Sequence, residues 1–116
     1  MKKSTLALAT AMACFTGAHA QGVSDDVVKI AVLSDMSSLY ADTAGKGSVE
    51  SAKMAIADFG GTVLGKKIEL VFADHQNKAD VAATKARQWF DSEGVDMIMN
   101  MNNSAVAIAV NGLARE

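Results

Sequence analysis

Proline is absent from the 116 residues, and cysteine occurs once, at Cys14. A single thiol excludes an intrachain disulfide and a metal site built on cysteine. Two histidines, His19 and His75, are too few for a histidine-based zinc site. Acidic and basic side chains nearly balance, 13 against 11, with the signs interspersed. No basic stripe and no aromatic cluster marks a nucleic-acid surface. No low-complexity linker and no internal repeat divides the chain. No apolar run reaches the roughly 20 residues needed to span a bilayer.

The first segment present is an export signal by pattern. Met1-Lys2-Lys3 is a short basic start, and Leu6 to Phe15 is an apolar core of h-region length. Ala18-His19-Ala20 fits the small-x-small rule, so cleavage after Ala20 is expected, with Gln21 as the mature N-terminus and a soluble periplasmic product. Cleavage before a lipid-modified Cys14 is the competing reading. The preceding Ala11-Met12-Ala13 lacks the large aliphatic residue such sites carry, and the apolar core would be cut short. Loss of the signal also removes Cys14 and His19, leaving a chain without thiol chemistry and long enough for one small core.

Val28, Ile30, Ala31, Val32 and Leu33 form a short apolar run that ends in a polar loop, Ser34 to Thr43. An amphipathic stretch follows, with Val49, Ala52, Ile56 and Phe59 at helical spacing. Turns at Gly60-Gly61 and Leu64-Gly65-Lys66 lead into a second strand, Lys67 to Ala73. Asn77 to Glu93 reads as a second helix, with Ala79, Ala82, Ala83, Ala86 and Phe90 on its inner face and Asn77 as N-cap. Phe90 is assigned to the core and the adjacent Trp89 to its margin. Gly94 has the character of a C′ glycine. Val95 to Met99 is a third strand. A third helix opens at Asn103 or Ser104 and turns Val106, Ala109, Val110 and Leu113 inward. It is still running at Ala114-Arg115-Glu116, the pattern of a chain that continues.

The expected fold is therefore α/β, a doubly wound parallel sheet in βαβαβα order. Right-handed crossovers place the first strand between the other two, order 2-1-3, with the first two helices on opposite faces. A crevice then opens at the C-terminal ends of the first and third strands. Two loops meet there. Ser34 to Thr43 offers Asp35, Ser37, Ser38, Tyr40, Asp42 and Thr43, and Asn100 to Ser104 offers amides and a hydroxyl at the start of a helix. Free N–H groups and the positive end of the helix dipole suit a carboxylate there. From position alone, Asn103 or Ser104 could equally be only an N-cap.

From Val28 onward the sequence resembles the N-terminal lobe of type I periplasmic binding proteins, in the branched-chain amino acid group that serves ABC importers. The resemblance rests on KIAVLSDMSS, GSVESAKMAIADF, LGKKIELVFAD, and the spacing from GVDMIM into NNSAVAIAV. It implies that residues 21–116 are the first part of an N-terminal lobe whose second lobe lies further on. It also implies a monomeric, cofactor-free binding protein that delivers a small solute to an inner-membrane permease. Ser104 matches the position that holds the ligand carboxylate in the family, and Tyr40 lies where an aromatic or polar contact is common. Ser37, Asn102 and Asn103 complete the expected ligand set. Asn100-Met101-Asn102-Asn103 departs from the glycine-rich sequence usual before that serine. The wording DMSSLYAD is closer to members that take aromatic or other organic acids than to strict leucine binders. The extracellular sensor of a signalling receptor, which uses the same lobe, is the alternative.

Other motifs carry less. Gly45-Lys46-Gly47-Ser48 misses the phosphate-loop spacing. Asp35 suggests a phospho-acceptor of a receiver domain, against which export argues. Asp74, His75 and Ser104 lack the elbow sequence of a hydrolase, so no enzyme activity is expected. His75 reads as a solvated loop residue away from the crevice. Met97, Met99 and Met101 read as core filler.

Overall fold

The first apolar run pairs on both of its sides, which makes it the centre of a sheet. In the computed structural model, which describes residues 26–115, this run is β1 (Val27–Ser34). It is followed by α1 (Ala41–Phe59), β2 (Thr62–Val63), β3 (Lys66–Asp74), α2 (Ala79–Ser92), β4 (Met97–Met99) and α3 (Ser104–Leu113). β1 runs parallel to β3 in the register Val27↔Lys67 to Ser34↔Asp74, and parallel to β4 from Ile30↔Met97 to Val32↔Met99. The expected export signal, its cleavage after Ala20 and the lipidation question at Cys14 lie outside the described residues.

The sheet order is β2-β3-β1-β4. Its three parallel strands stand in the expected 2-1-3 arrangement, and β2 is an addition. β2 joins β3 antiparallel through Thr62↔Lys67 and Val63↔Lys66, so the sheet is mixed. The two residues between them, Leu64 and Gly65, have φ of 51° and 75°. Positive φ at both central positions is the geometry of a type I′ hairpin turn, which matches the twist of paired strands. Leucine stands where asparagine or aspartate usually marks such a turn. The pattern therefore reads as a turn without its hairpin.

Alternation along β1 sends side chains to two cores. Ala31 and Leu33 meet Ala82, Ala86 and Trp89 of α2, Val95, and Val106 and Val110 of α3. Val32 faces the other way, onto Val49 and Ala52 of α1. Helices α1 and α2 thus cover opposite faces, as right-handed crossovers require. Full burial of a side chain such as Leu33 is worth roughly 1.5–3 kcal/mol.

Several packing assignments need correction. Trp89, not Phe90, is the buried aromatic of α2, at 1 % exposure. Consecutive helix positions are about 100° apart, and the one aimed at Leu33 is Trp89; Phe90 packs at the edge of the same cluster. Phe59 is exposed, because the last turn of α1 borders an open apolar groove of about 430 Å³ with Ile30, Ile56, Ile68, Met97 and Met99. Met97 and Met99 are consequently surface residues of that groove rather than core filler, whereas Met101 packs against the α2–α3 cluster. Lys78, not Asn77, is the N-cap of α2, and Asn77 stands outside the helix with φ of 57°. Gly94 has the expected left-handed backbone, with φ of 62°.

One glycine is required by close approach. α1 is kinked at Gly45 (φ −60°, ψ −114°), where the helix passes under the start of the loop after β1. A Cβ at Gly45 would stand 3.0 Å from the carbonyl oxygen of Asp35 and 3.3 Å from Cα of Met36.

Candidate functional site

Because β1, β3 and β4 are parallel, their C-terminal ends lie along one edge of the sheet. The loops following them occupy residues 35–40, 75–78 and 100–103. Main-chain polar groups in these loops lie beyond the ladder and must find side-chain partners. The polar residues of the three loops supply them.

Asp35 organises the first loop. It is fully buried, and its carboxylate accepts from the N–H of Ser38 at 2.9 Å, the hydroxyl of Ser38 at 2.7 Å and the N–H of Tyr40 at 2.8 Å. Burial acts to raise its pKa. The hydrogen bonds from Tyr40, Ser38 and Ser37 together outweigh burial and hold the carboxyl below its ordinary value. Asp35 is thus a structural anion rather than a phospho-acceptor. Its bonds leave Ser37 and Tyr40 exposed at the tip of the loop.

Asp74 ties that loop to the next one. Its Oδ1 accepts from the N–H of Met36 at 2.9 Å and of Gln76 at 2.8 Å. Burial again opposes the charge, and the bonds from Met36, Ser37 and Gln76 outweigh it, so this carboxyl is also held low.

His75 corrects the sequence reading most sharply. It is fully buried, not solvated, and it belongs to the loop cluster. Nδ1 accepts from the N–H of Asn77 at 3.0 Å, which places the ring proton on Nε2. Nε2 then donates to Oδ1 of Asn102 at 3.0 Å, and the same oxygen accepts from the N–H of Asp35 at 3.3 Å. Both ring nitrogens are engaged, and neither bonds Asp74 or Ser104. The arrangement is not that of a catalytic triad.

The third loop and the start of α3 follow from two asparagines. Asn103 is the N-cap of α3, and its Oδ1 accepts from the N–H groups of Ala105 at 2.8 Å and Val106 at 3.2 Å. Its Nδ2 donates to Oδ1 of Asn77. Asn100, with φ of 60°, reaches back to the hydroxyl of Ser34 and the carbonyl of Ala44, both at 3.4 Å.

The five expected ligand residues therefore divide. Asn102 and Asn103 spend their side chains within the protein, one joining loops and the other capping α3. Ser37, Tyr40 and Ser104 are exposed, and the Ser104 hydroxyl has no hydrogen bond among the described residues. The contact of Asn102 with Asp35 holds the first and third loops together, as the topology requires. Sequence reasoning missed His75 and the organising role of Asp35. The Asp-x-x-Ser spacing from Asp35 to Ser38, with room for a side chain to cap its own turn, was the available signal for Asp35.

The comparisons with known proteins agree with this geometry. The sequence profile of the periplasmic binding protein family matches residues 27–116. A periplasmic binding protein from Burkholderia mallei superposes with a TM-score of 0.74 at 57 % identity, over 77 % of this chain and 24 % of that one. A branched-chain amino acid ABC transporter periplasmic ligand-binding protein from Burkholderia xenovorans LB400 gives 0.73 at 53 % identity, over 76 % and 24 %. A solute-binding protein of an ABC transporter from Rhodopseudomonas palustris BisB5, in complex with 3,4-dihydroxybenzoic acid, gives 0.72 at 28 % identity, over 78 % and 24 %. The chain thus spans about a quarter of the length of these relatives. No curated protein matches it. Family profile, sheet order and loop-bearing edge together show that this chain belongs to the periplasmic binding protein family, with the fold of the N-terminal lobe of its type I members.

Proposed function

We propose that the chain supplies the front of the N-terminal lobe of an ABC importer's periplasmic receptor, which captures a small carboxylate-bearing solute. The observation that carries this reading is the junction of Asp35 N–H with Asn102 Oδ1. It joins the loop bearing Ser37 and Tyr40 to the loop that opens α3 at Ser104. In this reading Ser104 donates its hydroxyl to the carboxylate, and the N-terminus of α3 adds a favourable field. Asn103 already occupies the N–H groups of Ala105 and Val106. The anion contact therefore falls mainly on Ser104 itself. Tyr40 and Ser37 contact the body of the solute, while Asn102 and Asn103 hold the two loops in place.

The solute is a branched-chain amino acid or an aromatic organic acid. The latter draws support from the relative that holds 3,4-dihydroxybenzoic acid. Cleavage after Ala20 delivers a soluble, monomeric protein to the periplasm. Closure of a second lobe over the solute then presents the complex to an inner-membrane permease.

Calorimetry on the full-length protein tests the proposal, using 3,4-dihydroxybenzoate and L-leucine as probes and their amides as controls. Loss of the Ser104 hydrogen bond to a charged group costs about 1.5–3 kcal/mol. Ser104→Ala then weakens binding by about ten- to a hundred-fold. Unchanged affinity in a folded Ser104→Ala protein refutes the assignment.

A further inference from the structure

We infer that His75 is a positioning residue for the solute site, acting through Asn102 and Asn77; the inference rests on the solute-binding reading above. No family motif singles out this side chain. The geometry does. His75 is fully buried in a loop, and each ring nitrogen serves a different neighbour. Through Nε2 it holds Asn102, whose Oδ1 also receives the N–H of Asp35. Through Nδ1 it holds the N–H of Asn77, whose side chain receives the amide of Asn103, the cap of α3.

One imidazole thus reaches both loops that carry exposed candidate contacts. Asp35 leads to Ser37 and Tyr40, and Asn103 leads to Ser104. The turn around it is held under strain. Gln76 and Asn77 have φ of 52° and 57°, and the N–H of Lys78 closes the turn onto the carbonyl of His75 at 2.8 Å. Two consecutive non-glycine residues in the left-handed region persist only when the surroundings determine them. The Nδ2 of Asn102 is buried without a partner in the described residues. The amide is therefore oriented by what its oxygen receives, and among the described residues His75 is one of two donors to it.

Two substitutions separate the two arms of the ring. His75→Gln keeps an N–H donor toward Asn102, and His75→Asn keeps an acceptor toward Asn77. The measurement is amide exchange in the ligand-free, full-length protein, read at Asp35 with Leu33 as the core reference. His75→Asn is expected to lower protection of the Asp35 amide by about tenfold while leaving Leu33 unchanged. His75→Gln is expected to restore Asp35. Unchanged Asp35 protection in His75→Asn overturns the inference. Equal loss at Asp35 and Leu33 in both variants also overturns it, since that is the signature of a merely structural residue.

Titration with 3,4-dihydroxybenzoate and L-leucine completes the test. Weaker binding in His75→Asn than in His75→Gln supports positioning, and equal affinity in wild type and His75→Asn refutes it. Absence of binding by the wild-type protein across a wider panel of acids removes the solute-binding reading instead. The exchange result at Asp35 still decides whether His75 holds the loops, so the two failures are told apart.

Discussion

Nε2 of His75 lies 3.0 Å from Oδ1 of Asn102, 27 positions further along the chain. That contact unites loops from two strands that are not neighbours in the sheet, since β1 stands between β3 and β4. It passes over the end of the central strand, where Asp35 joins the same oxygen. The loop edge is therefore one hydrogen-bonded unit, and its parts respond differently to substitution.

Asn103→Ala removes the cap of α3 and is expected to cost about 1 kcal/mol of stability, within a range of roughly 0.5–2. Asn103→Asp keeps the acceptor for Ala105 and Val106 and is expected to retain most of that stability. Urea denaturation checks both through the midpoint, with the slope unchanged. Ser104→Ala, one residue on, leaves the cap intact and is expected to move the midpoint little. Cap and proposed carboxylate contact are thereby separated.

Gly45 and Gly47 give opposite outcomes for the same substitution. Gly45→Ala forces a methyl against the backbone of Asp35 and Met36 and is expected to destabilise by about 1–3 kcal/mol. A Cβ at Gly47 meets nothing within 4 Å, and the residue lies within α1. Gly47→Ala is expected to stabilise by about 0.4–1 kcal/mol through reduced freedom of the unfolded chain and better helix propensity. Thermal melts of the two variants check the difference in sign.

Trp89→Ala empties the centre of the cluster between the sheet, α2 and α3, and is expected to cost about 3–5 kcal/mol. It also removes the ring over which the Lys85 ammonium sits at 5.2 Å. Phe90→Ala, at the edge of that cluster, is expected to cost less. Denaturant midpoints for the pair check which aromatic is the core residue.

Acid sensitivity follows from the two carboxylates of the loop edge. Asp35 and Asp74 both have folded pKa values below the ordinary aspartate value. The unfolded chain then binds more protons between the folded and unfolded values, so stability rises with pH there. The contribution is complete above the unfolded value of about 3.9 and is lost as pH falls from there through the folded values. Urea midpoints measured from neutral pH downward are expected to fall in that acidic window, and to fall less steeply in Asp35→Asn and Asp74→Asn. Identical pH profiles in wild type and variants count against the assigned bonds.

Much of the fold was legible because local pattern and tertiary demand coincide. Val28 to Leu33 reads as a buried strand because it is one, and the apolar spacing of Val106 and Val110 matches the face that α3 buries. The cap of α3 was narrowed to Asn103 or Ser104, both good capping residues before an apolar helical run, and the backbone geometry selects Asn103. What escaped depends on partners distant in sequence. His75 sits among Asp74, Gln76 and Asn77, a polar string that looks solvated. Its ring is engaged by Asn102, 27 positions on, and by the N–H of Asn77 within the turn. Trp89 and Phe90 both fit a helical core, and the orientation of α2 on the sheet decides between them. Met97 and Met99 look interior by composition, yet they line a face of the sheet that α1 covers only in part.

The central position of β1 also has a kinetic meaning. The strand that leads the described residues must wait 40 residues for its first parallel partner, since Val27 registers with Lys67 and no nearer segment can serve. Only then does β4 add at its other side, 67 positions beyond Ile30. Parallel pairing of this kind requires closure of a long loop before any ladder bond forms, which makes it slow. During synthesis β1 emerges before either of the strands that flank it. Until β3 has followed it, the exposed edges of β1 are the part of the chain most open to pairing with something else.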